Sequence, residues 1–220
     1  MPQLPSTQPT LLLTGFDAFG GESVNPSWLL AQALDGQLIE GHRVVACRLP
    51  CVFGEALQVL DSALHEVRPS LVLALGQAAG RSELSLERVA INIDDARIAD
   101  NAGAQPVDTP VVHGAPAAYF STLPIKAMTA ALRAAGIPAA VSQTAGTFVC
   151  NHVFFGLQHA LTGSSVRSGF MHIPMLPEQA ARHAHMASMS LACMSQGLRL
   201  ALQAALRVTQ DLQLADGAIA

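Results

Sequence analysis

Cys150 closes the run Thr144-Ala145-Gly146-Thr147-Phe148-Val149-Cys150, which follows the β-prone segment Ala139-Ala140-Val141-Ser142 and leads into a helical pattern. Thr147 is the expected helix cap. A thiol in the first turn of a helix sits where the dipole favours the thiolate, the form that attacks carbonyls. The competing fate is that of most free cysteines, a small buried apolar side chain. A thiolate nucleophile needs a base that later protonates the leaving amine, and histidine suits both steps near neutral pH. His172 ends the apolar run Gly169-Phe170-Met171-His172-Ile173, where a strand end can face Cys150 across the sheet edge. His152 is rotated by about 200° from Cys150 on a helix and is expected to pack or cap instead. His183 and His185 share no helical face and lack neighbouring carboxylates, so no metal site is expected there. His42, His65, His113 and His159 read as surface residues. Glu87, Asp94 and Asp95 all qualify as the acid that orients the base, and spacing does not rank them.

Positioning such groups requires a scaffold, and apolar β-prone runs alternating with helical patterns predict an α/β fold with a largely parallel sheet. Strands are expected at 10–14, 43–49, 70–77, 139–142 and 169–173, with an extended segment over 84–93. The first strand opens into the glycine-rich loop Gly15-Phe16-Asp17-Ala18-Phe19-Gly20-Gly21. Asn25 followed by Pro26 signals a helix start, and Gly36 its stop. A helix over 53–67 carries Phe53, Leu57, Leu60, Leu64 and Val67 on one face. Another is expected near 124–135, and a last one carries the stripe Leu191, Met194, Leu198, Leu202 and Leu206. The stretch 94–122 is rich in Gly, Pro, Asn and Asp, and an irregular segment of that length is usually functional or at an interface. One domain over 1–220 is expected, with ends at 1–9 and 210–220 frayed. In such sheets ligands bind beyond the carboxyl ends of the strands, which singles out Phe16–Asn25, Gly76–Arg81, Thr144–Cys150 and His172–Pro174.

Composition narrows the classes. Twelve Lys+Arg against sixteen Asp+Glu, with no basic run, argue against nucleic-acid binding. No apolar run reaches membrane-spanning length, and the first residues show no leader pattern, so a cytoplasmic protein is expected. The four cysteines form no CxxC pair and are expected as free thiols. Only 13% of residues are charged, well below the usual ~25%, which fits either a surface filled with Ala, Gln and Ser or surface buried between subunits of a homo-oligomer, the second being somewhat favoured.

Four segments together resemble pyroglutamyl peptidase I, a family of cysteine peptidases: Thr14-Gly15-Phe16-Asp17-Ala18-Phe19-Gly20-Gly21, Leu86-Glu87-Arg88-Val89-Ala90-Ile91-Asn92, Thr144 to His152, and Phe170-Met171-His172-Ile173-Pro174. The likeness is collinear from Leu11 to Leu206. It implies a three-layer α/β/α sandwich with a largely parallel, mixed central sheet. It also implies a cytoplasmic, commonly tetrameric enzyme, without metal or other cofactor, that removes N-terminal pyroglutamate from peptides through a thioester. On this likeness Cys150 is the nucleophile, His172 the base and Glu87 the acid. Phe16 and Phe19 flank the pyroglutamyl ring, Asn25 and the chain near Gln77 hold it, and Arg97 assists the oxyanion. Without the likeness the two phenylalanines read as core anchors and Arg97 as a surface ion-pair partner. Ala18, Ala79, Ala99, Ala115 and Met175 depart from the family pattern. Ala79 matters most, because a glycine beside a ligand permits a positive φ or close backbone approach.

Two rival functions fit the same architecture. A nucleoside phosphorylase or hydrolase would use the glycine-rich loop as a phosphate cradle, but that loop holds no Lys or Arg between Thr14 and Trp28. A binding module would keep a lactam pocket without turnover, which an intact triad argues against.

Overall fold

Leu11, Leu12 and Leu13 are all fully buried, which requires a strand covered on both faces. The computed structural model, which describes residues 8–217, supplies that cover. The chain runs through β1 (Thr10–Phe16), α1 (Pro26–Leu34), β2 (Leu38–Ile39), β3 (His42–Leu49), α2 (Glu55–Val67), β4 (Leu71–Gln77), β5 (Leu84–Glu87) and β6 (Val89–Ile91). It continues through β7 (Ala118–Phe120), α3 (Ile125–Ala134), β8 (Ala139–Ser142), α4 (Val149–Ala160), β9 (Arg167–Ile173), α5 (Pro177–Ala180) and α6 (Leu191–Arg207). Seven strands form the main sheet in the order β2-β3-β1-β4-β9-β5-β8. β3, β1, β4 and β9 are mutually parallel, β5 and β8 run the other way, and β2 is antiparallel to β3.

Successive strand residues point to opposite faces, and here they feed two separate cores. Leu11, Leu13, Leu71, Leu73 and Leu75 join Leu30 of α1, Met128 and Leu132 of α3 and Leu198 and Leu202 of α6. Leu12, Phe16, Val72 and Ala74 join Leu60 of α2 and Val153, Phe154 and Leu157 of α4. The result is the expected α/β/α sandwich. Each fully buried Leu or Phe contributes about 1.5–3 kcal/mol relative to exposure, so the two cores hold the site rigidly from both sides.

Local chemistry sets the helix ends. Asn25 is extended, its side chain accepts from Ser27 N, Pro26 takes the first turn, and Gly36 follows at φ 73. The second helix starts at Glu55 instead of Phe53, because Gly54 stands at φ 74, outside the helical range. It stops at left-handed Arg68, before Pro69. The α6 stripe is as expected: Met194, Leu198 and Leu202 are buried, and Leu191 and Leu206 pack at its ends.

Other segments differ from the sequence pattern. The extended run 84–93 is two strands in two sheets, with β6 paired to β7 in a small antiparallel sheet. Arg88 makes the transfer, its N–H bonded to Ser142 O and its carbonyl accepting from Ser121 N. The stretch 94–122 therefore contains a strand, and its first part folds back on itself through Asp94–Thr109 and Ala96–Pro106 backbone bonds. Residues 209–217 form no helix or strand but are tied down. Asp211 accepts from the N–H groups of Lys126 and Ala127 at the start of α3, and Asp216 meets Arg133 and Arg88. Of the ends expected to fray, 1–7 and 218–220 lie outside the described residues.

Candidate active site

Strand register brings acid and base together. His172 of β9 lies opposite Ser85 of β5, so Glu87, two residues further along the same face, is its diagonal neighbour. The imidazole Nδ1 sits 2.7 Å from Glu87 Oε1, and both side chains are buried. A carboxylate only accepts, so Nδ1 carries the proton and Nε2 offers its lone pair. On the other side His172 is in register with Gly76 of β4. A Cβ built on Gly76 would stand 2.8 Å from Cys150 Sγ and 2.7 Å from the Phe170 ring. The Cys150 sulfur thus occupies the space a side chain at position 76 would need. Phe170 in turn packs on His172 at 4.9 Å between ring centroids.

Cys150 is the second residue of α4, where N–H groups of the first turn have no intrahelical partner. Thr147 is not the cap. The cap position falls on Phe148, which makes no side-chain capping bond. Thr147 Oγ1 instead donates to Asp95 O at 2.7 Å, and Thr147 O accepts from Asp95 N, fastening the turn to the irregular segment. The expectation that the helix start favours a thiolate is also revised. Burial pushes the Cys150 thiol well above its ordinary value, with Cys51 and Glu87 adding to the rise and Arg81 opposing it. Burial lowers His172, against the Glu87 hydrogen bond and charge that raise it. Both shifts run toward the uncharged forms of the two groups.

The three candidate acids separate cleanly. Glu87 holds His172. Asp94 Oδ2 is 2.8 Å from His152 Nδ1, while His152 Nε2 accepts from Gly54 N at 3.0 Å. Both nitrogens of His152 are thus engaged in packing the chain. Asp95 is exposed. Phe16 is buried against Phe170, and Phe19 is half-buried beside Phe148 at 6.2 Å. Asn25 commits its amide to the chain, donating to Asp17 O and accepting from Ser27, so it braces the Phe16–Asn25 loop. Gln77 ends β4, in register with Ile173. Arg97 is exposed on the irregular segment. Ala79 needs no positive φ, because that of its turn falls on Gly80 at 86°.

Two residues at the site are not singled out by the sequence pattern. Arg81 Nη1 lies 2.9 Å from Glu87 Oε1 and Nη2 donates to Thr144 O; the signal was a Gly-Arg pair just past a strand end. Phe148 packs between Phe19, tilted against it, and Phe53, edge-on to it, immediately before the helix that carries Cys150.

A mixed α/β/α sandwich with a Cys, a His–Glu pair and an arginine gathered at the carboxyl edge of β4 and β9 has the construction of an α/β thiol hydrolase. The family model described as pyroglutamyl peptidase matches residues 9–208. Pyrrolidone-carboxylate peptidase 1 of Ralstonia nicotianae is 59% identical over 211 residues, covering 95% of this chain and 98% of that one. The pyrrolidone-carboxylate peptidase of Klebsiella pneumoniae is 59% identical over 209 residues, covering 94% and 98%. The solved pyroglutamyl peptidase I of Bacillus amyloliquefaciens superposes with a TM-score of 0.92 at 43% identity, over 94% of this chain and all of that one. The chain belongs to the pyroglutamyl peptidase family.

Proposed function

We propose that Cys150, His172 and Glu87 are the catalytic unit with which this chain, a cysteine peptidase, removes N-terminal pyroglutamate from peptides. The observation that supports it most is the 2.7 Å His172–Glu87 bond, which leaves Nε2 free on the strand beside the Cys150 sulfur. As Sγ attacks the carbonyl joining pyroglutamate to the next residue, Nε2 takes the thiol proton, so charge develops only in the transition state. The tetrahedral oxyanion falls near the free N–H groups at the start of α4, with Arg97 as the second donor. Support for Arg97 is its segment's attachment to the nucleophile turn through Asp95 and Thr147. His172 then protonates the leaving amine, and afterwards takes a proton from the water that opens the thioester. Glu87 holds the imidazole tautomer and offsets its positive charge. Phe16 and Phe19 form apolar walls for the ring, and Gln77 and the loop braced by Asn25 supply its polar contacts. No step requires a metal or cofactor.

Release of a fluorophore from a pyroglutamyl amide tests this reading. Alkylation of thiols is expected to end release and chelation to leave it unchanged; chelator sensitivity with alkylator resistance rejects it.

The chain is further proposed to be cytoplasmic, where an active-site thiol stays reduced, and to form a homo-oligomer, a dimer or a tetramer. Among the described residues no helix is long and apolar enough to cross a membrane. Ile98, Val107 and Phe120 of the 94–122 stretch are exposed, an apolar surface suited to a subunit contact. Light scattering at micromolar concentration should give a multiple of the chain mass, and a monomer overturns the oligomer.

A further inference from the structure

Arg81 lies in the connection from β4 to β5, one residue past Gly80. Its guanidinium reaches in two directions. Nη1 stands 2.9 Å from Glu87 Oε1, and Nη2 donates to Thr144 O at 3.0 Å. Glu87 Oε1 is also the atom that accepts from His172 Nδ1, while Oε2, fully buried, has no hydrogen-bond partner among the described residues. Thr144 opens the turn that ends in Cys150. One side chain therefore touches both the acid of the triad and the segment that presents its nucleophile.

We infer that Arg81 is a positioning residue for the acyl-transfer unit, holding Glu87 and the Thr144 turn in one frame and balancing the charge of the buried carboxylate. This rests on the triad assignment proposed above.

The charged groups acting on His172 are Glu87 from β5 and Arg81 from the β4–β5 connection; Cys150 Sγ lies over Gly76, the register partner of His172 on β4, with Cys51 acting on the thiol. In the state that can accept a proton, Arg81 is cationic, Glu87 anionic and the imidazole neutral, so the cluster has no net charge. Without the guanidinium the same state buries an uncompensated negative charge. The imidazole–carboxylate pair then takes up a proton at higher pH, whichever member holds it. The direction agrees with the effect of Arg81 on His172, which is to lower its pKa. A lysine would keep the charge but not the two-armed fork that spans carboxylate and carbonyl.

The test is the pH dependence of kcat/KM on a pyroglutamyl amide for Arg81→Met and Arg81→Lys, each checked for fold by circular dichroism. Catalysis needs Nε2 unprotonated, so the acid limb marks protonation of the pair. In Arg81→Met that limb should move upward by about 1–3 pH units. The plateau kcat should fall on the order of 10²-fold as the turn loosens, with KM less affected because Arg81 touches the acid and the turn. Arg81→Lys should keep the limb near its wild-type position with a lowered plateau. Where Arg81→Met does not fold, Arg81→Gln, a neutral side chain that still donates to Thr144 O, carries the same expectation. An acid limb unmoved in a folded neutral variant overturns the inference, as does a limb displaced equally in Arg81→Lys. Failure of the triad itself is distinguishable, since Cys150→Ala would then turn over normally.

Discussion

A Cys150→Ala protein is expected to fold and to lose turnover by about 10⁴-fold or more, the scale seen when the nucleophile of an acyl-transfer unit is removed. The fold should survive because the change deletes one sulfur from a half-buried position whose helix is anchored elsewhere, by Val153, Phe154 and Leu157 in the core. The remaining thiols cannot substitute. Cys51 is buried and its pKa is pushed up to about 12, chiefly by burial. Cys47 and Cys193 pack against the two cores on either side of the sheet. Alanine at any of these three should leave activity largely intact. Gly76→Ala provides a second arm that keeps the sulfur but displaces it. Its new Cβ would press within 3 Å of both Cys150 Sγ and Phe170, and a misplaced nucleophile costs on the order of 10²-fold. Fluorophore release, circular dichroism and a count of titratable thiols check both arms. Wild-type rates in a folded Cys150→Ala protein reject the mechanism.

Burial favours the uncharged thiol and the uncharged imidazole, which bears on how the proposed unit would work. A thiolate at a helix start would be ready before substrate arrives, and would also be open to alkylation and oxidation. Here burial acts against the helix terminus, since the sulfur lies over Gly76 and Cys150 packs against the core that holds Phe154 and Phe170. In the proposed mechanism the thiol proton passes to Nε2 as the Sγ–carbon bond forms, and Glu87 is already in place to stabilise the imidazolium, while Arg81 holds Glu87 and favours the neutral imidazole that accepts the proton.

Much of this arrangement is legible in the sequence, for physical reasons specific to each segment. β1 and β4 announce themselves because central strands are apolar on both faces, and α1 because Asn25-Pro26 is a local signal sufficient in itself. The Thr147 cap fails for the converse reason: a tertiary partner, Asp95 O, takes the hydroxyl that a local rule assigns to the helix. The split of 84–93 into two sheets has no turn signal in the sequence, and it is the partners of Arg88, Ser142 and Ser121, that part β5 from β6. The acid is the clearest case. Glu87, Asp94 and Asp95 are equivalent by type and spacing, and what separates them is strand register, which sets Glu87 diagonal to His172 and leaves Asp94 to His152. Arg81 escapes because its role depends on contacts with residues six and sixty-three positions away, Glu87 and Thr144.

The prolyl amide of the same fluorophore is expected to be hydrolysed at least ~10³ times more slowly, in kcat/KM, than the pyroglutamyl amide. Both rings have five members, so ring size offers no discrimination. Pyroglutamate is a neutral lactam with one N–H donor and one C=O acceptor, whereas an N-terminal proline has no ring carbonyl and carries a protonated amine at neutral pH. A pocket whose polar groups pair with the lactam leaves the carbonyl's donor unmatched by proline. It also places a cation beside Phe16, which is buried, and Phe19, which is half-buried and leans on Phe148. Buried polar groups left unpaired discriminate by ~10⁴–10⁵, against ~10–200 for a missing methylene. Desolvation of the ammonium adds to that penalty, and cation–π attraction to the two rings returns part of it. The partial exposure of Phe19 lets water reach a mismatched ring, so the lower figure is the expected bound. A glutamyl amide, open-chain and charged at both its amine and its carboxylate, should fare no better. Comparable kcat/KM for the prolyl and pyroglutamyl amides would defeat the lactam pocket even with Cys150 established as the nucleophile, because the proposed catalytic unit and the proposed ring site rest on different residues.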